Sequence, residues 1–128
     1  MSLLDTSIAV WLLRGHPSVV AWAQDESDFA ISWVTHAELL LGAVCHSRDG
    51  NALAQVRQFI GAVSVLLPDA TTCEEYASIQ ASLRRKGTPI PSNDVWIAAL
   101  CRQHELTLVT ADEHFAAVEG INLANWLT

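Results

Sequence analysis

Four of the fourteen acidic residues in this 128-residue chain stand in apolar company: Asp5 after Leu3-Leu4, Glu38 before Leu39-Leu40-Leu41, Asp94 ahead of Val95-Trp96-Ile97-Ala98-Ala99, and Asp112 after Leu108-Val109-Thr110-Ala111. Aspartate and glutamate are rarely buried unless paired, so acids in such surroundings mark the edge of a core. The others, among them Asp25, Glu26, Asp28, Glu74 and Glu75, sit in polar stretches and read as solvated. Two carboxylates 4 Å apart repel by ~4 kcal/mol at an effective dielectric near 20, and a hard divalent cation removes that repulsion. Mg2+ and Mn2+ take oxygen ligands, keep several waters and bind through a few carboxylates together with a substrate phosphate. Such an ion lowers the pKa of a bound water and neutralises the charge that develops when phosphorus is attacked. Taken singly, each acid also has a structural reading. Glu38 completes a capping box with Thr35, and Asp94 and Asp112 offset helix dipoles. Asp5, directly after an apolar strand, is costly to bury without a partner.

The elements that must position these acids follow from the alternation of short apolar runs with longer helical patterns, which predicts an α/β fold with a parallel sheet. Strands are expected at Leu3–Asp5, Phe29–Ser32, Ser64–Leu67, Thr107–Thr110 and, more weakly, Asn122–Ala124. Helices are expected at Ile8–Arg14, Ser18–Gln24, His36–His46, Ala52–Ala62, Thr72–Lys86 and Asn93–His104, with a short one from Asp112. Thr35 and Ser92 are the expected caps of two of them. Arg84-Arg85-Lys86-Gly87 closes another with cations and a glycine, and Thr88-Pro89-Ile90-Pro91 is an extended connector. In a parallel sheet all strand C-ends and helix N-ends share one edge, where open α/β proteins place their sites. Asp5, Glu38, Asp94 and Asp112 are therefore expected to converge there. No repeat or long linker divides the chain, so residues 1–128 read as one domain.

Composition narrows the function. The formal charge is −7, which excludes a broad basic face gripping nucleic acid by many phosphate contacts; a bound cation would have to supply positive charge. No glycine pattern matches a dinucleotide-binding or P-loop motif. No apolar run reaches the ~18 residues of a membrane span, and the chain reads as cytoplasmic. Cys45, Cys73 and Cys101 lack ligand spacing and read as buried free thiols. His16, His36, His46 and His104 read as surface or cap residues, while His114 is set apart because it lies two residues after Asp112. Apolar residues make up 51% of the chain, five of them tryptophans, more than one core needs; some of that surface is expected to meet another chain. The first two helical segments, with Trp11, Leu12, Leu13, Val19, Val20 and Trp22, are candidates for a groove that takes an amphipathic helix.

At the acidic residues the sequence resembles the PIN-domain ribonucleases, in particular VapC-type toxins. Leu4-Asp5-Thr6-Ser7 is similar to the family's opening strand and turn. Ser32-Trp33-Val34-Thr35-His36-Ala37-Glu38-Leu39-Leu40-Leu41-Gly42 is similar to its second motif. The segment from Gly87-Thr88-Pro89-Ile90 through Asn93-Asp94 to Ile97-Ala98-Ala99 matches its third, and Thr110-Ala111-Asp112-Glu113-His114-Phe115 its closing T-x-D-x-x-F. The resemblance spans nearly the whole chain. It implies a PIN-like three-layer fold, a central parallel sheet of four to five strands between helices, and metal-dependent endonucleolytic cleavage of RNA by a metal-activated water. It also implies a cognate antitoxin and a homodimer. Asp5 and Asp94 would be the primary Mg2+ or Mn2+ ligands, with Asp112 and Glu38 completing the cluster and Thr6, Asn93 and Thr110 supporting it by hydrogen bonds. The few cations available to follow an RNA backbone, Lys86 and six arginines, depart from what such a substrate asks for.

Two other readings of an aspartate after the first strand are weaker. A dehalogenase-like phosphatase needs a second aspartate where Ser7 stands, and a receiver domain needs a lysine at a late strand end, whereas Lys86 ends a helix. The reading that competes most directly is a catalytically silent PIN-like module that binds RNA or protein.

Overall fold

In a computed structural model of the chain, which describes residues 1–26, 28–46 and 50–128, the order of elements is β1 (Ser2–Leu4), α1 (Thr6–Leu13), α2 (Pro17–Asp25), β2 (Phe29–Ser32), α3 (Trp33–His46), α4 (Asn51–Ala62), β3 (Ser64–Leu66), α5 (Ala70–Lys86), α6 (Ser92–His104), β4 (Thr107–Val109), a 3-10 turn (Glu113–Ala117) and β5 (Asn122–Ala124). All strand pairs are parallel, in the spatial order β3-β2-β1-β4-β5. The α/β class, the five strands and the flanking helices agree with the sequence reading.

Period-two alternation along the strands divides the core in two. Leu3 pairs with Ala30 and Leu108 in register, and all three point into a cluster with Ile79 and Leu83 of α5 and Val95, Ile97 and Ala98 of α6. Leu4, Ile31 and Val109, one residue further on, point to the opposite face, where Ile8, Ala9, Val19, Leu39, Val56 and Trp126 cover them. This is the three-layer arrangement. A one-residue slip would turn each set toward the wrong layer. Helix α6 is buried along Val95 and Ile97–Cys101, so the segment carrying Asp94 is fixed by packing.

The strand order reverses direction of growth between β1 and β4. In open α/β sheets the crevice beyond the strand C-ends at such a switch point is where ligands bind. Asp5 follows β1 and Thr110 follows β4, so both flank that crevice. The ladder runs on into these residues, with Asp5 N–H donating to Val109 O at 3.0 Å and Thr110 N–H to Ala124 O at 2.9 Å.

Several local expectations need correction. Helix α3 begins at Trp33, so Thr35 lies inside it; Ser32 Oγ accepts from Thr35 N–H at 3.0 Å. The predicted Thr35–Glu38 capping box does not form, because a serine three residues earlier already caps this end. Glu38 consequently lies in the second turn. Ser92 is likewise the first helical residue of α6, with Pro91 at the capping position and no side-chain cap. Of the cysteines only Cys101 is buried, its thiol pushed up to about 12 by desolvation. Cys45 and Cys73 are exposed, being placed on the outward sides of α3 and α5.

The end of α5 is as expected. Gly87 takes φ +68°, and a Schellman motif forms, with Gly87 N–H donating to Arg84 O at 3.2 Å and Thr88 N–H to Leu83 O at 3.0 Å. A Cβ at Gly87 would meet no atom within 4 Å, so the cost of Gly87→Ala is that of the backbone conformation alone. The variant should lose about 1 kcal/mol of stability, seen as a lower urea midpoint at unchanged slope. An unshifted midpoint would show that the turn relaxes to another conformation without cost.

Candidate active site

Asp5 is the most enclosed acid among the described residues, 4% exposed. It caps α1, accepting from Ile8 N–H at 2.9 Å through Oδ1, and Thr110 Oγ1 donates to its other oxygen. Both oxygens are thus oriented, one by the first turn of α1 and the other by the residue that follows β4. Burial nevertheless raises its pKa above the usual carboxylate value, and the nearby charges of Asp94 and Asp112 raise it further against those two hydrogen bonds. Asp94, in the first turn of α6, is also raised, chiefly by desolvation and in part by Asp112, with His114 opposing. Asp112 caps the 3-10 turn, accepting from His114 N–H at 3.2 Å, and its own N–H donates to Thr110 Oγ1 at 3.0 Å. Carboxylates from separate parts of the chain are therefore brought close enough for Asp94 and Asp112 to disfavour the charge of Asp5, and for Asp112 to disfavour that of Asp94.

His114 sits between two of them. Its Nε2 is 2.8 Å from Asp94 Oδ2 and its Nδ1 is 2.9 Å from Asp112 Oδ1. Nε2 is buried and, close as it lies to Asp94 Oδ2, meets no partner in a hydrogen-bonding direction. Ligand atoms of Asp94, Asp112 and His114 all lie within 4.8 Å of one another. That clustering, the orphaned nitrogen and the raised carboxyls fit a place for a divalent cation. The donor set is rich in carboxylate oxygen, which suits a hard ion, with one imidazole nitrogen beside it.

Glu38 stands to one side. Thr6 Oγ1 donates to Glu38 Oε1 at 2.9 Å, and Thr6 and Thr35 hydroxyls are 3.0 Å apart. Since the Thr6 proton goes to Glu38, Thr35 supplies the proton between the two threonines. Ser32 Oγ is 3.4 Å from Thr35 Oγ1, so a line of hydroxyls leads from the end of β2 to Glu38. No hydrogen bond among the described residues joins Glu38 to Asp94 or Asp112. Of the three residues expected to support the cluster, Thr110 touches Asp5 and Thr6 touches Glu38, whereas Asn93 is exposed and its side chain makes no hydrogen bond among the described residues.

Sequence reasoning held His114 apart without giving it a place; its D-x-H spacing from Asp112 was the available signal. The Ser32–Thr35 hydroxyls were missed as supports, because Thr35 was taken up by the capping-box reading. The proposed partner groove also changes. Val19 is fully buried in the core and lines no surface, whereas Trp22, stacked parallel to Trp126 with ring centroids 6.5 Å apart, stays 43% exposed at the side of a separate cavity with Ser18 and Asp25. Leu12 and Leu13 instead line a cavity of about 310 Å³ with Phe29 and Phe59. Across Leu13 a second cavity, of about 280 Å³, is bounded by Arg14, Glu38, Leu39, His46 and Val56.

The fold is an open parallel α/β sheet with an acidic cluster at its switch point, and comparison with known proteins gives its family. The PIN domain family model matches residues 2–121. The chain belongs to the PIN-domain family. It is 30% identical to the tRNA(fMet)-specific endonuclease VapC of Shigella flexneri, over 97% of this chain and 96% of that protein. It is 34% identical to toxin FitB of Neisseria gonorrhoeae, over 88% of each. The crystal structure of DNA-bound VapBC from Salmonella typhimurium superposes with a TM-score of 0.91 at 30% identity, covering 98% of this chain and 99% of that one.

Proposed function

We propose that this chain is an endoribonuclease that depends on Mg2+ or Mn2+ and acts in the cytoplasm as the toxin of a toxin–antitoxin pair. The observation that carries the reading is the convergence at the sheet's switch point of Asp94, Asp112 and His114, whose ligand atoms lie within 4.8 Å of one another, beside the buried Asp5, with burial and neighbouring carboxylates raising the pKa of Asp5 and Asp94. Carboxylates held together at such cost are of use when a cation and a phosphate are brought to them. Asp94 and Asp112 would hold the ion, with Asp5 completing the set and Glu38 reaching it directly or through water. A bound ion would acidify a water and neutralise the charge developing at phosphorus. The chain's own contribution is orientation. Thr110 and Ile8 N–H fix Asp5, Thr110 also fixes the backbone of Asp112, and the Ser32–Thr35–Thr6 hydroxyls hold Glu38. The relatives named VapC endonuclease and toxin FitB support the assignment to RNA and to a toxin.

The test is incubation with single-stranded and structured RNA in Mn2+. Cleavage that a chelator abolishes, leaving 5′-phosphate and 3′-hydroxyl ends, is the expected result. Products with 2′,3′-cyclic phosphate would place the 2′-hydroxyl as nucleophile and overturn the mechanism.

A partner helix would lie along the two cavities flanking Leu13, with Trp11, 38% exposed, at the margin. The second cavity ends at Glu38, so an arginine at that end of the helix could reach the acids and pair with them in bidentate fashion. Leu13→Ala and Trp11→Ala should each weaken binding of the small protein encoded beside the gene by about tenfold or more, the loss expected of an anchor residue. Equal affinity of both variants would place the partner elsewhere. Leu41, Val44 and Leu67, each more than 60% exposed, offer surface for a homodimer, which sedimentation would reveal.

A further inference from the structure

Beside the acidic cluster, on the β5 side, lies an open cavity of about 560 Å³. It shares Thr110 and Asp112 with the cluster and is bounded beyond them by Glu113, Ala116, Leu123 and Asn125. A nucleotide whose phosphate reaches Asp94 and Asp112 brings its neighbouring sugar and base into this space. Among the described residues no lysine, arginine or histidine lines it, and the carboxylates of Asp112 and Glu113 repel a second phosphate there. Uncharged, partly apolar matter is what the walls accept. Leu123, 43% exposed, and Ala116 offer aliphatic contact to a flat ring.

Asn125 gives the cavity a directional group. Its Oδ1 accepts from Leu127 N–H at 2.9 Å. A backbone N–H can only donate, so the amide's orientation is settled: Oδ1 is turned to the backbone of Leu127 and both NH2 protons are available as donors. Two N–H donors complement a base edge that accepts, as guanine does through O6 and N7 and uracil through its carbonyl. The exocyclic amino groups of adenine and cytosine, themselves donors, offer the NH2 no acceptor at that edge position.

We propose that this cavity receives the base next to the scissile phosphate and that Asn125 selects a keto base, guanine or uracil, over an amino base at that position. The proposal rests on the nuclease reading given above. Asn125→Asp keeps the oxygen that holds Leu127 N–H and replaces the donor by an acceptor, so it tests the hydrogen bond with the turn intact. Asn125→Ala removes both.

The experiment is cleavage of a random-sequence single-stranded RNA pool in Mn2+, with base frequencies counted on both sides of the cut. The wild type should show a keto preference of roughly two- to tenfold at one flanking position, the range of one net hydrogen bond. Asn125→Asp should abolish or invert it and Asn125→Ala should flatten it, at that position only. The same base frequencies in all three proteins, or no preference in the wild type, would overturn the proposal. Binding of four short RNA oligonucleotides differing in one base to the Asp94→Asn protein requires no cleavage and separates the two failures. A keto preference there that a second change at Asn125 removes supports the cavity even if no RNA is cut. Equal binding of all four overturns it independently of the activity.

Discussion

Asp94→Asn should reduce RNA cleavage by more than about 100-fold while leaving the fold intact and the metal-free protein at least as stable as the wild type. The activity loss should exceed the 10–100-fold that follows from losing a supporting residue outside the metal's own ligands, because Asp94 is placed to hold the ion itself. The stability expectation follows from the same geometry. Asp94 is partly desolvated and faces Asp112, so an amide of equal shape relieves a charge that the empty cluster disfavours. The contact with His114 Nε2 at 2.8 Å opposes this gain only insofar as the imidazole is protonated. Activity and stability should thus move in opposite directions, as is common where a site holds strain for function. Cleavage rates under single-turnover conditions and melting curves in chelator measure the two halves. Cleavage within about threefold of wild type would remove Asp94 from the site. A loss of activity matched by a large loss of stability would make its role structural.

The sheet was legible because its strands alternate so regularly. Leu3 and Leu4 belong to opposite layers, and two adjacent leucines before an aspartate already state that both faces of β1 are buried and that the chain then reaches an edge. The edge itself was legible from topology, which put Asp5, Glu38, Asp94 and Asp112 together without any knowledge of side-chain directions, although Glu38 turns to Thr6 and stands to one side. What lay beyond the sequence were contacts fixed by three-dimensional competition. Thr35 and Ser32 are both good caps, and only packing of Trp33 against Trp96, with ring centroids 5.7 Å apart, shows why α3 starts early enough for Ser32 to be used. That early start frees Thr35 to join Thr6, and so Glu38 is held from α1 rather than by its own helix. Val19 and Trp22 illustrate the same limit. An apolar residue on a short helix reads alike whether it meets the sheet, as Val19 does, or a C-terminal tryptophan, as Trp22 does.

Metal and protons should act on stability in opposite senses, and their competition gives the second large effect. A carboxyl whose pKa is raised in the folded state binds its proton more tightly there than in the unfolded chain. Asp5 and Asp94 are both of this kind. Their penalty is fully present above the raised values and fades as pH falls toward the ordinary carboxylate value of 3.8, so for these two groups the metal-free protein gains stability on mild acidification. Asp69 works the other way, since hydrogen bonds at the start of α5 lower its pKa, but it is fully exposed and its influence is screened. A cation needs the carboxylates ionised, so its stabilising effect is greatest near neutral pH and is lost over the same acidic window. At a concentration 100-fold above Kd it contributes ~2.7 kcal/mol, which for a domain of this size is on the order of 10 °C in Tm. The expected result is a large Mn2+-induced rise in Tm at pH 7 that shrinks toward zero near pH 4, while the chelated protein shows a shallower or reversed slope across the same range. In an Asp5→Asn, Asp94→Asn double variant both the metal shift and the acid-side gain should largely vanish, because the groups that link protons to the metal are gone. A Tm rise in the double variant equal to that of the wild type would mean that the ion binds away from the cluster. An unchanged pH slope would mean that other groups carry the proton linkage.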